Sequence, residues 1–228
     1  MQKEQALQYI TNAMSLRTPQ EKSLVFFAEY LESEAGKKVL ARMKVGNQNW
    51  IVDVEQETKQ YTDKIVDLKQ FQAFERTFPS YTFALATGVG KTRLMGAFVA
   101  YLYLVYGVQH FMIVAPGNTI YRKLVDDFSK ASNPKYVFRG VEELNTSTVS
   151  VITKENFNKN KLDSEFLKKF FPNRIEINIF NIQQFAQKDI EKEKGITKFD
   201  ETLGESYFEY LSSLDDLVVL MDESHHYH

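Results

Sequence analysis

Cysteine is absent from this 228-residue chain, tryptophan occurs once, and no internal repeat or low-complexity segment is evident. The lack of cysteine excludes disulfide bonds and thiolate metal sites, and it is compatible with a reducing cytosol. An excess of one charge is also lacking, because 28 Lys and Arg stand against 30 Asp and Glu, for a net charge of −2. Contact with nucleic acid therefore requires a local patch rather than a globally basic protein.

Long hydrophobic runs are missing as well. The N-terminus, Met1 to Met14, has no apolar core of the kind that a secretory signal needs. The most apolar stretch, Leu94 to Val108, has about 15 residues and contains three tyrosines. That is short of the roughly 20 apolar residues of a membrane-spanning helix. We therefore expect a cytoplasmic globular protein with no membrane partner.

A glycine-rich loop stands out among the features that are present. It lies between an apolar, strand-like run (Tyr81 to Leu85) and an apolar helical run (Arg93 to Tyr106), and it reads Ala86-Thr87-Gly88-Val89-Gly90-Lys91-Thr92. Strand, glycine loop and helix in this order are typical of a phosphate-binding loop. Glycines let the backbone N–H groups turn inward, and the helix N-terminus adds roughly half a positive charge.

Each residue of this loop has an expected role. We expect the segment Thr87 to Thr92 to bind ATP, with Lys91 at the β and γ phosphates and the Thr92 hydroxyl on Mg²⁺. The loop departs from the full motif because Leu85 stands where the first glycine belongs, six positions before Lys91. A chance glycine turn is disfavoured because the flanking strand and helix patterns are both in place.

Residues 1–60 predict an accessory segment that is mostly helical. Thr18-Pro19-Gln20-Glu21 fits a capping box at the start of a helix over about 19–34. A second short helix is predicted over 37–44, and the alternation over Trp50 to Val54 is typical of a strand. Residues 61–228 are expected to form the main domain.

The main domain is predicted to be α/β. From residue 65 onward, short apolar runs alternate with helical patterns, which indicates a mostly parallel sheet with helices on both faces. The apolar runs are 81–85, 111–115, 136–138, 149–153, 175–180 and 217–221, and the helices are 91–106, 118–130, 181–188 and 205–213.

Two carboxylates follow the last apolar run. Asp222 can hold Mg²⁺, usually through water, and Glu223 can orient and deprotonate the attacking water. Parallel strands place such residues in the crevice beyond their carboxyl ends. A zinc site built from His225, His226 and His228 is a weaker alternative, because the spacing is poor and no cysteine is available.

The glycine loop and Asp222-Glu223-Ser224-His225 together resemble motifs I and II of superfamily 2 helicases and translocases, motif II being a DEAH-like box. The variant with His226 is similar to the Res subunit of type III restriction-modification enzymes and to related phage-defence ATPases. Three further segments resemble family elements: Val114 to Asn118 (motif Ia), Leu68 to Gln72 (an adenine-reading element) and Phe180 to Gln183 (the segment before motif II). The resemblance covers about 65–228, and more weakly the segment from Ser15 to Leu24.

This resemblance implies a P-loop NTPase with a RecA-like domain, the ATP-binding half of a DNA-dependent ATPase or translocase. It implies double-stranded DNA and a methyltransferase (modification) subunit as partners, Gln72 at the adenine, and Thr119 and Arg122 near nucleic-acid phosphates. The given sequence stops before the family's motif III, second RecA-like domain and nuclease. In the family, the second RecA-like domain carries an arginine finger, which contributes about 10³ to 10⁵ to the rate of hydrolysis. We therefore expect weak or no hydrolysis by this chain alone. A stand-alone nucleotide-binding regulatory module is the alternative hypothesis.

Overall fold

The computed structural model describes residues 1–42, 50–65, 71–74, 78–157, 173–182, 199–200 and 205–222. The chain divides into two compact units, one formed by Met1–Leu16 with Lys91–His228 and the other by Arg17–Gly90. The boundary near residue 60 stays a prediction. The described helices are α1 (Lys3–Ala13), α2 (Thr18–Glu32), α3 (Glu34–Arg42), α4 (Trp50–Thr62), α5 (Lys91–Tyr106), α6 (Asn118–Ser129) and α7 (Tyr207–Ser212), with a short 3₁₀ helix at Glu142–Leu144.

A parallel sheet forms the centre of the first unit. The strands are β1 (His110–Ala115), β2 (Val149–Ile152), β3 (Ile175–Asn181), the two-residue β4 (Phe199–Asp200) and β5 (Glu205–Ser206), and β6 (Leu217–Met221). In the described residues, β2, β3, β1 and β6 lie side by side in that order and all pairs are parallel, while β4 and β5 pair separately as an antiparallel ribbon. The predicted α/β class with a parallel sheet is confirmed.

Burial within the sheet explains why its strands read as apolar runs. All seven residues of β3 and five of the six residues of β1 are buried, as expected for a parallel sheet covered on both faces. Helix α7 packs onto one face through Tyr207 and Leu211, which join a buried cluster with Met112, Val114 and Phe180. Helix α6 contacts β1, β2 and β3.

Helix α1 lies antiparallel along α5 in the same unit. At one end the N-terminal amine of Met1 donates to the Leu104 carbonyl (3.0 Å), and at the other Arg93 Nη1 donates to the Met14 carbonyl (2.7 Å). Between them, a Cβ on Gly96 would lie 3.0 Å from Cβ of Val137 and 3.3 Å from Cε of Met14. The close approach of these elements therefore depends on a glycine. Among the described residues, no helix is both long and apolar enough to cross a membrane.

The predicted strand over Trp50 to Val54 is wrong, because this segment is the first part of helix α4. Val54 and Thr58 are buried and Tyr61 is half-buried, so the buried positions recur every three or four residues. Five alternating residues formed too short a window to distinguish this helical period from the period of a strand.

The predicted strand over Tyr81 to Leu85 is also wrong, since 79–86 has no regular secondary structure. Its aromatic side chains pack within the second unit instead: Tyr81 lies 4.7 Å from the Tyr30 ring and 5.8 Å from the Phe74 ring, and Phe83 lies 6.1 Å from Phe27, measured between ring centroids. Apolar residues here serve ring packing rather than a strand ladder.

The other predicted elements agree to different degrees. The run at 136–138 is buried but irregular, and the helix predicted over 205–213 is shorter, because residues 205–206 belong to β5. The helix predicted over 181–188 lies largely outside the described residues, and its first residue, Asn181, ends β3. Helices α2, α5 and α6 lie within about two residues of their predicted bounds.

Candidate nucleotide-binding site

The glycine loop has the backbone conformation that its glycines permit. Gly88 has φ of 81° and Gly90 has φ of 97°, both in the left-handed region that favours glycine. The Val89 N–H donates to the Ala86 carbonyl at 3.4 Å and closes a turn. A Cβ on Gly88 would meet no described atom within 4 Å, so the backbone conformation and not crowding requires this glycine.

Helix α5 begins at Lys91, the residue that directly follows Gly90. Lys91 and Thr92 therefore occupy the first helical turn, where backbone N–H groups lack helical partners and the helix dipole is positive. Both side chains are half-buried. The next residue, Arg93, is held by the Met14 carbonyl, which fixes the start of the helix against the end of α1.

The start of helix α2 contacts the carbonyl oxygens of the glycine loop, within the second unit. Gln20 Nε2 donates to the Gly90 carbonyl at 2.8 Å, and Arg17 Nη1 donates to the Gly88 carbonyl at 3.3 Å. Gln20 is 2% exposed, and its Oε1 accepts from the Arg17 N–H at 2.7 Å. The loop is thus held from its carbonyl side by the first turn of α2.

The carboxyl edge of the sheet brings together polar residues of the first unit. Asp222 follows β6, and its N–H donates to the Val114 carbonyl at 3.2 Å, which extends the ladder between β6 and β1. At the same edge, Asn181 Nδ2 donates to Asn118 Oδ1 at 2.7 Å and ties the end of β3 to the start of α6. This is the edge at which ligands bind in open α/β sheets.

The first turn of α6 starts just beyond β1. Its Thr119 and Arg122 side chains are exposed, and the helix dipole favours anions at this terminus. On the buried side, the Tyr121 hydroxyl donates to Glu155 Oε2 at 2.8 Å. Burial and this carboxylate raise the pKa of Tyr121 to about 12, so the phenol stays protonated and keeps α6 hydrogen-bonded to the segment after β2.

The opposite, amino edge of the sheet carries a second polar cluster. Asp216 accepts from the Gln109 N–H at 2.7 Å and contacts Nδ1 of His110. Burial alone would raise the pKa of Asp216, but the hydrogen bonds from His110 and Gln109 outweigh it and lower the pKa. The charged carboxylate thereby joins the start of β1 to the turn before β6.

The remaining predicted site residues have different standing. Gln72 is exposed in the segment 71–74, where Phe71 and Phe74 stack edge to face at 4.8 Å. Thr87 is exposed and Val89 half-buried. Glu223, His225, His226 and His228 lie outside the described residues. Within the part of the chain that the structure describes, no group of three or more His, Asp or Glu side chains could hold a metal ion.

Comparison with known proteins gives the family. A family model described as the type III restriction enzyme res subunit matches residues 14–228. This chain belongs to that family. Res-subunit membership supports, at a general level, an ATPase- or helicase-like domain of a restriction enzyme, and it agrees with the parallel sheet and the glycine loop before α5.

A curated relative points in the same direction. Over 169 residues the chain is 30% identical to a protein of Haemophilus influenzae described as the probable type III restriction-modification enzyme HindVIP Res subunit. The match covers 72% of this chain and 28% of that protein, so the chain spans less than a third of its relative's length. No solved structure matches the chain significantly.

Sequence reasoning missed Arg17 and Gln20 as neighbours of the glycine loop. The predicted capping box took Thr18 as the cap, whereas the helix begins at Thr18 and the Arg17 carbonyl accepts its first hydrogen bonds. A glutamine at the third helical position beside a proline was the available signal. It indicated a helix start, but it could not indicate a partner 70 residues away in the sequence.

Proposed function

We propose that this chain binds ATP with Mg²⁺ and is the nucleotide-binding part of a DNA-dependent ATPase or translocase of a restriction enzyme. The observation that carries the proposal is a loop with two left-handed glycines leading directly into Lys91, the first residue of a 16-residue helix. Backbone N–H groups from Thr87 to Thr92 bind the phosphates, and Lys91 adds a mobile positive charge. Family membership supports ATP as the nucleotide.

The donor chemistry of this chain fits Mg²⁺. Mg²⁺ keeps several waters and takes one or two protein oxygens together with phosphate oxygens. Thr92 offers a hydroxyl in the first turn of α5, and Asp222 offers a carboxylate at the carboxyl edge of the sheet. Bound there, the ion would neutralise charge that develops on the phosphates.

Hydrolysis requires a base, and Glu223 is proposed for that role. A carboxylate next to the Mg²⁺-binding aspartate can orient a water and accept its proton as it attacks the γ phosphate. Gln72 is proposed to contact the adenine, since its exposed amide carries the donor and acceptor that an adenine edge requires.

Double-stranded DNA and a modification subunit complete the proposal. The name of the Haemophilus relative is that of a restriction-modification enzyme. In this chain, Thr119 and Arg122 are exposed within the first five residues of α6, beside the carboxyl edge of the sheet. A hydroxyl and a guanidinium at a helix N-terminus suit contacts with backbone phosphates, which position a protein on DNA without reading sequence.

The proposal is tested by steady-state ATP hydrolysis in the natural protein that contains this chain, with and without duplex DNA. We expect DNA-stimulated hydrolysis in the wild type and at least a hundredfold loss in Lys91→Ala, because the variant lacks the charge at the β and γ phosphates. Lys135→Ala, which alters an exposed lysine after α6, is the matched control. Full DNA-stimulated activity in Lys91→Ala would refute the proposal.

A further inference from the structure

Gln20 is a buried amide with both of its ends engaged. Its Oε1 accepts from the Arg17 N–H at 2.7 Å, and its Nε2 donates to the Gly90 carbonyl at 2.8 Å. With 2% of its surface exposed, the side chain has no freedom to exchange these partners for water. Capping the helix uses only Oε1, so the bond from Nε2 to the loop serves another purpose.

Arg17 adds a second contact of the same kind. Its Nη1 donates to the Gly88 carbonyl at 3.3 Å from an exposed position. Arg17, the residue before α2, and Gln20 in its first turn therefore hold two carbonyls of the loop, both on residues with left-handed φ. Glycine is the residue with the greatest backbone freedom, so these are the positions where an unrestrained loop would lose its shape most readily.

Holding a carbonyl also aims the N–H of the same peptide group. The described peptide bonds are all trans, and in a trans peptide the C=O and N–H point in opposite directions. Fixing the Gly90 carbonyl directs the Lys91 N–H away from α2, and fixing the Gly88 carbonyl orients the Val89 N–H, which donates to the Ala86 carbonyl at 3.4 Å and closes the turn. Phosphate binding at a loop that leads into a helix uses such N–H groups.

We propose that Gln20 is a positioning residue that sets the phosphate loop in its binding shape before the triphosphate arrives, with Arg17 as a weaker second support. This inference rests on the proposed function. Gln20 contacts the loop through the Gly90 carbonyl, so its effect reaches the phosphates through the backbone. The loop would otherwise have to be ordered when nucleotide binds, which would weaken affinity.

The test compares two substitutions in the 228-residue chain. Gln20→Glu keeps an acceptor for the Arg17 N–H but cannot donate to the Gly90 carbonyl, whereas Gln20→Met loses both bonds at similar length. Affinities for MgATP and MgITP are measured by calorimetry, and the uncharged Gln20→Met separates the loss of the hydrogen bond from the effect of the charge that Gln20→Glu adds. Backbone hydrogen exchange of residues 86–92 is measured without nucleotide. Gln8→Met, on the exposed face of α1, is the matched control.

We expect both Gln20 variants to bind MgATP and MgITP about tenfold more weakly, the effect of losing the hydrogen bond to the Gly90 carbonyl. We also expect faster exchange at 86–92, with Gln8→Met like the wild type. A Gln20→Glu variant that binds and exchanges like the wild type would reduce Gln20 to a helix cap and overturn the inference. A loss of affinity confined to MgATP would show that Gln20 acts on the adenine base and not on the phosphate loop, which would also overturn the inference.

Two outcomes separate this inference from the proposed function. If the wild type binds no MgATP, the proposed function fails. If the wild type binds and both Gln20 variants bind equally well, only the positioning role fails. Should the Gln20 variants not fold, Arg17→Ala removes the exposed support alone. It should give a smaller loss of affinity, of about twofold to threefold, with faster exchange at 86–92, and unchanged exchange there would contradict the inference.

Discussion

Single residues at both edges of the sheet show how this fold uses polar groups. At the carboxyl edge, Asn118 and Asn181 pair with each other, while at the amino edge Asp216 joins His110 and the Gln109 N–H. A further polar residue, Asn178, is fully buried within β3. It donates to the Phe111 carbonyl at 3.1 Å and accepts from the Tyr207 hydroxyl at 2.5 Å. Satisfied buried groups of this kind fix where an element docks.

Asp216→Asn should lower stability at neutral pH and not in acid. The carboxylate has a pKa below its ordinary value near 3.8, so its contribution is complete above that value and is lost as pH falls towards the folded pKa. We expect the free energy of unfolding to fall by about 1–2 kcal/mol at pH 7, which is less than the roughly 1.5–3 kcal/mol of a hydrogen bond to a charged group because the Asp216 side chain is partly exposed. The difference should shrink below pH 3.8 in urea titrations at pH 7, 5 and 3. A difference that stays constant over this range would contradict the assignment.

Secondary-structure elements were predicted well where local pattern and tertiary context agree. The strands β1 and β3 are apolar runs buried in a parallel sheet, β6 is an apolar run that pairs with β1, and α5 directly follows a loop whose glycines indicate where the helix begins. The strands predicted over 50–54 and 81–85 were wrong. Residues 50–54 belong to a helix, and the aromatic residues of 81–85 pack against other rings. A five-residue apolar pattern does not by itself distinguish a strand from a helix face or from a cluster of packed rings.

The candidate site combines residues that are adjacent in the sequence with residues that only the fold brings together. Lys91 and Thr92 follow the glycines directly, so their motif was readable from the sequence. The contact of Gln20 with Gly90 spans 70 residues and depends on the docking of α2, which the sequence does not specify locally. Long-range hydrogen bonds are therefore the part of the site that could not be predicted from the sequence without the folded structure.

At the scale of elements, the packing of α1 on α5 should depend on the size of residue 96. A Cβ at Gly96 already approaches Val137 and Met14 to 3.0 and 3.3 Å, so a leucine must displace α1 or the 137 segment. We expect Gly96→Leu to lower the free energy of unfolding by about 2 kcal/mol. Gly96→Ala is the matched comparison, since a gain in helix propensity of about 1 kcal/mol offsets its tighter contact. Equal thermal stability of Gly96→Leu and the wild type would contradict this packing.

At the scale of the whole molecule, family membership, the parallel sheet and the glycine loop all support the proposed nucleotide binding. Membership of the type III Res family is shown over 14–228, and the sheet order places Asp222 after β6, beside the end of β1. Lys91, the first residue of helix α5, directly follows the glycine loop. ATPase or translocase activity on DNA stays a proposal, because the chain spans 28% of the length of its relative.

Equilibrium binding of MgATP to the 228-residue chain tests the central claim most directly. Calorimetry should show one site in the wild type and in Lys135→Ala. In Lys91→Ala, affinity should fall by at least tenfold, because a hydrogen bond to a charged phosphate contributes about 1.5–3 kcal/mol. Unchanged thermal unfolding of the variant without nucleotide would confirm that the loss is local. A wild type that does not bind MgATP, or a Lys91→Ala variant that binds it as tightly, would contradict the account.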